Sequence, residues 1–278
     1  MMLELKNSGL PVYLNESNSI LALSIPLQYD SYGEKAVGEM LGLLADDAGA
    51  STAQKAYDVY RGIRYPQDEE LFKKYDYRYD ITIVMDGLVN GECKKTSGHY
   101  HGYNPQRTHT YPEVYEVIKG RALYVLQRAD NFEGAPEDIV LDDVILVTVE
   151  AGQTIIVPPD YGHCSINIGE GPMVFSNLAY VPCPVSYSQV KYYHGMSYYA
   201  MKGNGKVEVR LNPRYSHMPE VKYATVKENK ALGIQFGLPV YKSFQENPEA
   251  FRFLGEPDAF VEPIMSMLDY HKSLQEGL

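Results

Sequence analysis

The sequence predicts a mainly β fold, an antiparallel barrel or jelly roll with a polar N-terminal arm and a helical C-terminal extension. Three observations carry this. Strand-like runs crowd together between Tyr79 and Tyr180: YDITIVM, EVYEVIKG, RALYVLQR, VILVTV, TIIVP, HCSINI and MVFSNLAY. Turn signals separate them, including Gly120-Arg121, Glu150-Ala151-Gly152 and Gly169-Glu170-Gly171-Pro172. No helical stretch interleaves, which argues for antiparallel neighbours, and helical spacing flanks the run on both sides.

The elements follow in order. Residues 1–30 are a polar arm with short apolar pieces such as Ile20-Leu21-Ala22-Leu23. From Glu34 to Asp46, Val37, Met40, Leu41 and Leu44 fall at helical spacing, and Gln67 to Tyr75 is a second short helix. The strand run comes next, interrupted by a polar, acidic insert from Ala129 to Asp143 that suits a surface hairpin or loop. Asn204-Gly205, between SYYAMKG and KVEVRL, predicts a further hairpin turn. After Asn212-Pro213-Arg214 the composition shifts. Residues 1–218 are expected to form the barrel with its arm, and residues 219–278 the extension. Helix starts are expected at Asn247-Pro248 and Glu262-Pro263. In the last helix Ile264, Met267, Leu268 and His271 would share a face suited to internal or dimer packing.

The 278 residues are ample for one core and marginal for two domains. A net charge of -11 argues against nucleic acid or an anionic membrane as partner, though a local site can still be positive. Cys93, Cys164 and Cys183 form no regular framework, so a reducing cytoplasm is the expected compartment. The N-terminus shows no basic region followed by an apolar one, and no run has the length of a membrane-spanning helix. There are 25 tyrosines and no tryptophan, and tyrosines can line a sugar pocket or an interface.

The chemistry sits in two stretches, SGHYHG from Ser97 to Gly102 and AGQTIIVPPDYGHCSINI from Ala151 to Ile168. His99 and His101 are one residue apart, so on a strand both imidazoles face one side and Tyr100 the other. His163 opens another strand. Glu113 opens the apolar run that Gly120 closes. Three imidazoles and one carboxylate suit a divalent transition metal such as Fe, Mn, Zn, Ni or Co, with open positions left for substrate oxygens. Eleven residues separate His101 from Glu113, which makes Glu116 a rival ligand. Glu113 is preferred, because Glu116 would point with Val114 and Ile118. Lys95 and His109 are expected to be solvated, and His217 and His271 to be unrelated to the metal.

The spacing is that of a two-motif frame. Six residues lead from Glu113 to Gly120, five from Gly152 to Pro158, four from there to His163 and three more to Asn167. This segment resembles the cupin superfamily. Two positions depart from it: Cys93 and Asp160 stand where glycines are usual. Within the superfamily the chain resembles the cupin-type glucose-6-phosphate isomerases. That resemblance is carried by Lys95-Thr96-Ser97-Gly98-His99-Tyr100-His101, Glu113-Val114-Tyr115, Val157-Pro158-Pro159 with His163, Asn212-Pro213-Arg214, and the distance from Thr82 to Thr96. It covers roughly residues 30 to 218.

The resemblance implies an enzyme that interconverts glucose 6-phosphate and fructose 6-phosphate. It implies that His99, His101, Glu113 and His163 hold one divalent metal, that Thr82, Thr96 and Gly98 lie at the phosphate end, and that Tyr115 contacts the sugar. It also implies a homodimer that pairs through N-terminal strands. The family's histidine and tyrosine after the last barrel strand correspond to Val185 and Tyr187, and His194 could replace the histidine only if the chain folds back. Aldose–ketose isomerisation moves hydrogen between C1 and C2 and places negative charge on the substrate oxygens. Glu113 is the candidate proton carrier; a hydride shift is the alternative. The same ligand set also serves dioxygenases and other sugar isomerases, and a non-catalytic sugar-binding cupin is a third possibility.

Overall fold

The structure, a computed structural model, describes residues 1–203 and 205–277. Two sheets form a jelly-roll barrel of the cupin type. One has six strands in the order Thr154–Val157, Glu113–Lys119, Met173–Tyr180, Tyr77–Val84, Lys55–Arg61, Ser31–Ala36. The other has five, in the order Tyr161–Asn167, Arg121–Ala129, Leu141–Glu150, Val221–Val226, Leu268–His271. Pairing is antiparallel throughout these two sheets, except that Val221–Val226 runs parallel to Leu141–Glu150.

Both faces of each sheet are covered, which is why the central strands read as nearly unbroken apolar runs. Between the sheets lie Tyr115, Val117, Tyr124, Leu126, Val147 and Phe175. Outside the six-stranded sheet, Val114, Ile118, Val174 and Leu178 pack against N-terminal and C-terminal residues such as Val12, Leu14, Phe244 and Phe251. Outside the five-stranded sheet, Val125, Leu146 and Ile166 meet Val37, Met40 and Met196.

The flanks differ from their sequence expectations. Residues 1–30, the expected polar arm, are more ordered than their polar composition implies. They form a three-stranded sheet, Met2–Glu4, Val12–Asn15 and Ile20–Leu23, because the alternation that buries Val12 and Leu14 packs one face onto the body. The helix expected over Glu34 to Asp46 is instead the strand Ser31–Ala36 followed by one 3-10 turn, Val37–Met40. Gly42, at φ +76°, turns the chain out of helical geometry, and Leu41 is left exposed. The second expected helix is present as the 3-10 turn Pro66–Asp68 and the helix Glu69–Tyr75. The insert after Ala129 is a loop with one 3-10 turn, Pro136–Asp138. The strands Tyr198–Gly203 and Lys206–Leu211 pair as a hairpin; Asn204 of the expected turn lies outside the described residues.

Residues 219–277 are partly helical, with Val240–Glu246, Pro248–Leu254 and Val261–Met265, and they also supply two strands to the barrel. Pro248 starts its 3-10 helix as expected, while the other helix begins at Val261 with Pro263 in its first turn. The expected last helix therefore ends before Met267. Leu268–His271 is drawn into the open edge of Val221–Val226 instead, where strand hydrogen bonds are available. His271 bonds Thr225 there, at 2.8 Å.

Glu116 joins the C-terminal segment to the barrel. It points outward with Val114 and Ile118 and is buried, and its Oε2 accepts the Val240 backbone N–H at 3.1 Å. That N–H is one of the unpaired donors of a helix start. Burial pushes the Glu116 carboxyl up to about 8. The folded state therefore holds a proton that the unfolded chain has released. This contribution to stability is complete below the ordinary carboxylate range and is lost as pH rises through about 8. Glu116→Gln keeps the acceptor and removes the charge, so its melting temperature should exceed that of the natural protein by about 5 °C or more at pH 9, with little difference near pH 5. Thermal scans across that range check this; a gap that does not grow with pH contradicts a buried, protonated Glu116.

Candidate metal centre

Backbone pairing brings the two histidine stretches together. His99 N–H donates to the His163 carbonyl at 3.1 Å and His163 N–H to the His99 carbonyl at 2.9 Å. This reciprocal bridge faces the two side chains the same way, with ring centroids 4.5 Å apart. His101, two residues on, joins them. Tyr100 faces away, stacked on Phe132 at 5.1 Å and receiving a hydrogen bond from Gln127. Gly162 makes room for that ring, since a Cβ there would lie 2.6 Å from it. Gly98 is at φ +76°, and a Cβ would come within 3.1 Å of Cys164 and Met196.

Glu113 enters from the opposite sheet. His99, His101, Glu113 and His163 offer ligand atoms that all lie within 4.8 Å of one another. His99 Nε2 is 3.0 Å from His101 Nε2, and Glu113 Oε2 is 3.2 Å from His101 Nε2 and 3.5 Å from His163 Nε2. Partners fix each group. His101 Nδ1–H donates to the Tyr111 carbonyl at 2.7 Å, which leaves Nε2 for the cluster. Asn177 donates to Glu113 Oε1 at 2.7 Å, and the Tyr115 hydroxyl donates to Oε2 at 2.8 Å. The same hydroxyl is 2.9 Å from His163 Nε2.

The electrostatics favour a cation. Burial and the neighbouring imidazoles hold His99 well below the usual imidazole range, and burial lowers His163 as well, so both present lone pairs at neutral pH. For His101 burial opposes the charge, but contacts with Cys183 and Glu113 outweigh it and push the group up to about 10. Burial also works against the charge on Glu113, and His101 and His163 overcome it and hold the carboxyl well below the usual range. An anion among three imidazoles, two of them unprotonated, is a donor set that a divalent transition metal fits.

The cluster faces a cavity of about 350 Å³. Thr82, Thr96, Gly98, Tyr115, Val185 and Tyr187 all line it. Tyr187 stands with its ring 5.5 Å from His99, and Val185 pairs with His101 at the mouth. Glu116 is excluded from the site by its outward direction. His194 is not among the lining residues. His109 is turned away into a hydrogen bond with Asp160 at 2.7 Å. Lys95 is not solvated as expected. It is buried, paired with Glu92 at 2.5 Å and held 4.7 Å from the Tyr199 ring, because its strand position faces the packed side of the sheet. Asp160, where the cupin frame usually has glycine, adopts φ +73°, a conformation that aspartate tolerates better than most residues.

Other lining residues carry no sequence motif: Tyr57, Arg61, Arg78, Asp80, Asn177 and Cys183. The alternation in KAYDVYR, which sets Tyr57, Val59 and Arg61 on one face, is the signal that could have revealed the first two. Arg78 is neutralised by a two-pronged contact with Asp80 at 2.9–3.1 Å. Arg61 has no carboxylate partner among the described residues.

A model of the glucose-6-phosphate isomerase (GPI) family matches residues 34–217. The chain belongs to that family. Among its relatives, glucose-6-phosphate isomerase of Pyrococcus abyssi (strain GE5 / Orsay) is 28% identical over 181 residues, which cover 64% of this chain and 85% of that one. The Thermococcus litoralis enzyme of the same name is 28% identical over 157 residues, covering 56% and 72%. Among solved structures, oxalate oxidase in complex with glycolate overlaps 53% of this chain and 49% of its own, with 14% identity and a TM-score of 0.29. The family match ends at residue 217, so the strands Val221–Val226 and Leu268–His271 lie beyond it.

Metal uptake should expel the proton that His101 carries, so apparent affinity should fall by roughly tenfold for each pH unit below neutrality. Proton release on adding cobalt(II) in weak buffer measures this. His163→Ala should lose most of the bound metal and keep the far-ultraviolet circular dichroism of the natural protein. Stoichiometric metal in that variant contradicts the ligand set.

Proposed function

We propose that this chain interconverts glucose 6-phosphate and fructose 6-phosphate at the His99, His101, Glu113 and His163 centre. The observation that carries this is the convergence of the donor cluster, hydroxyl donors at Thr82 and Thr96, and the Arg61 guanidinium on one cavity, in a chain of the glucose-6-phosphate isomerase family. A cavity of about 350 Å³ lies in the range that encloses a small ligand.

One divalent transition metal held by the four ligands (Fe, Mn, Zn, Ni or Co) would supply Lewis-acid stabilisation for the negative charge that develops on the substrate oxygens. The chain's own groups do the rest. The phosphate end is assigned to Thr82, Thr96 and Gly98, and Arg61 adds a cation on the same wall. The positive φ and the missing Cβ at Gly98 let this backbone, which lines the cavity, pack closely on Cys164 and Met196 behind it. Tyr187 and Tyr115 flank the sugar.

Glu113 is the candidate proton carrier between C2 and C1. Its two oxygens are held by Asn177 and Tyr115, so the carboxylate keeps one orientation through the transfer. Those bonds also reduce its basicity, which favours a proton handed back to the substrate over one lost to solvent. Val185 supplies no acid or base where the family frame has histidine, so ring opening falls to Tyr187 or to solvent.

We also propose that the protein forms homodimers. The free edge strand Ser31–Ala36, with Tyr29 and Tyr32 exposed beside it, supports an edge-to-edge contact; the N-terminal strands pair with one another and pack one face on their own chain. No helix among the described residues is long and apolar enough to cross a membrane.

Metal-loaded protein should convert fructose 6-phosphate, and a chelator should abolish the conversion reversibly. Glu113→Gln should lower kcat per bound metal by roughly a hundredfold or more. Thr96→Ala and Arg61→Ala should mainly raise KM, about tenfold for the arginine, because a phosphate contact acts on ground and transition states alike. Exchange of the C2 hydrogen with solvent separates proton carriage from a hydride shift. Binding of sugar phosphate with no conversion in metal-loaded protein would falsify the isomerase reading.

A further inference from the structure

The loop at residues 102–112 joins the two strands that carry His101 and Glu113, and the C-terminal segment holds its tip. Asp258, in the 3-10 turn Pro257–Ala259, accepts hydrogen bonds on Oδ1 from Asn104 Nδ2 at 2.8 Å and Thr108 Oγ1 at 2.6 Å. Asn104 is itself buried. Its side-chain oxygen accepts the Thr108 backbone N–H at 3.0 Å, and its own N–H donates to the His109 carbonyl at 2.9 Å. The tip is therefore a closed turn, tied to the rest of the chain by Asp258 and, on its exposed side, by the Arg107–Glu133 ion pair at 2.6 Å. At the base of the loop, Asp160 accepts the Thr110 N–H at 2.9 Å.

The far end of this loop orients a ligand. The Tyr111 carbonyl receives His101 Nδ1–H, and the Tyr111 ring packs on Tyr180 with centroids 4.9 Å apart. Gly255 lies against the Tyr180 ring, where a Cβ would be 3.6 Å from it. The C-terminal segment thus bears on the loop twice, through Asp258 at the tip and through Gly255 beneath Tyr180.

We propose that Asp258 is a positioning residue for the metal centre, holding the 102–112 loop so that the Tyr111 carbonyl keeps His101 Nε2 aimed at Glu113 and His163. This rests on the assignment of His99, His101, Glu113 and His163 as metal ligands. It gives the segment beyond the family match a part in the family's site. The Asp258 bonds are near the surface and share one oxygen, so they add little to global stability. Their effect is on local opening of the loop, which governs how often His101 loses its aim.

The test is metal release. The natural protein and the variants Asp258→Ala, Asp258→Asn and Thr108→Val are loaded with cobalt(II), and loss to excess EDTA is followed by visible absorption, with melting temperatures measured in parallel. Partners of ligating histidines commonly change metal affinity by about 10–100-fold, and Asp258 acts one step further out. Asp258→Ala and Thr108→Val should therefore release cobalt about tenfold faster than the natural protein, with nearly unchanged melting temperatures. Asp258→Asn keeps an Oδ1 acceptor and should release cobalt at close to the natural rate. Equal release rates in all four proteins overturn the inference, as does a lowered melting temperature in Asp258→Ala with natural release. Should Asp258→Ala fail to fold, Thr108→Val decides from the loop side. A natural protein that binds cobalt but isomerises nothing sinks the proposed function and leaves this inference standing. One that takes up no cobalt sinks both.

Discussion

The reciprocal hydrogen-bonded bridge between His99 and His163 is the constraint on which the site depends. It sets two imidazoles side by side from segments more than sixty residues apart in sequence. A slip of one residue in that register would turn His163 to the packed side and bring Cys164 into the cavity. The register is held from both sides. Tyr161–Asn167 is paired along its length with Arg121–Ala129, and Cys164 and Ile166 are committed to the outer cluster. The packed face thereby enforces the aim of the functional face, at the level of backbone pairing.

The second dependence runs through the six-stranded sheet. Its strand Glu113–Lys119 sends Glu113 and Tyr115 into the barrel and Glu116 out of it. The two glutamates, three residues apart, have opposite electrostatics for a stated reason. Glu113 has two imidazole neighbours that overcome its burial, whereas Glu116 has one backbone N–H and a serine hydroxyl, and burial wins. One can act as an anionic ligand, and the other is a neutral structural acid. The C-terminal segment is anchored at this second group, so a region outside the family match is built into the wall behind the site.

Much of this was legible in the sequence. The strand run from Tyr79 to Tyr180 could be read because period-2 or unbroken apolar stretches alternated with glycine-rich turns. The convergence of His99, His101, Glu113 and His163 could be read because His99 and His101 share a face and because the Glu113 spacing fits an apolar strand. The flanks were less legible. Ser31–Ala36 is a half-exposed edge strand with no clean alternation, and the helical spacing that follows it is broken by Gly38 and Gly42. Leu268–His271 reads as the end of a helix, and only the partner strand Val221–Val226, some forty residues away, makes it a strand. Arg61 and Asn177 escaped notice for a related reason. Each is an ordinary polar residue on its strand, and only the closing of the barrel sets Arg61 on the cavity wall and Asn177 against Glu113.

The charge of the whole chain and the charge of its cavity point in opposite directions, and distance reconciles them. The chain carries a net charge of -11, which would repel a sugar phosphate if it acted uniformly. Surface charges are screened over roughly 8 Å at physiological ionic strength, so a ligand inside the barrel responds mainly to the groups lining it. There, Arg78 is cancelled by Asp80, and Glu113 is matched by the proton on His101 or by a cation that replaces it. Arg61 remains. With no carboxylate partner among the described residues, this guanidinium stands beside threonine hydroxyls on the cavity wall and favours an anion there. A charge so placed acts within the cavity and not along the approach, where the screened surface charges prevail.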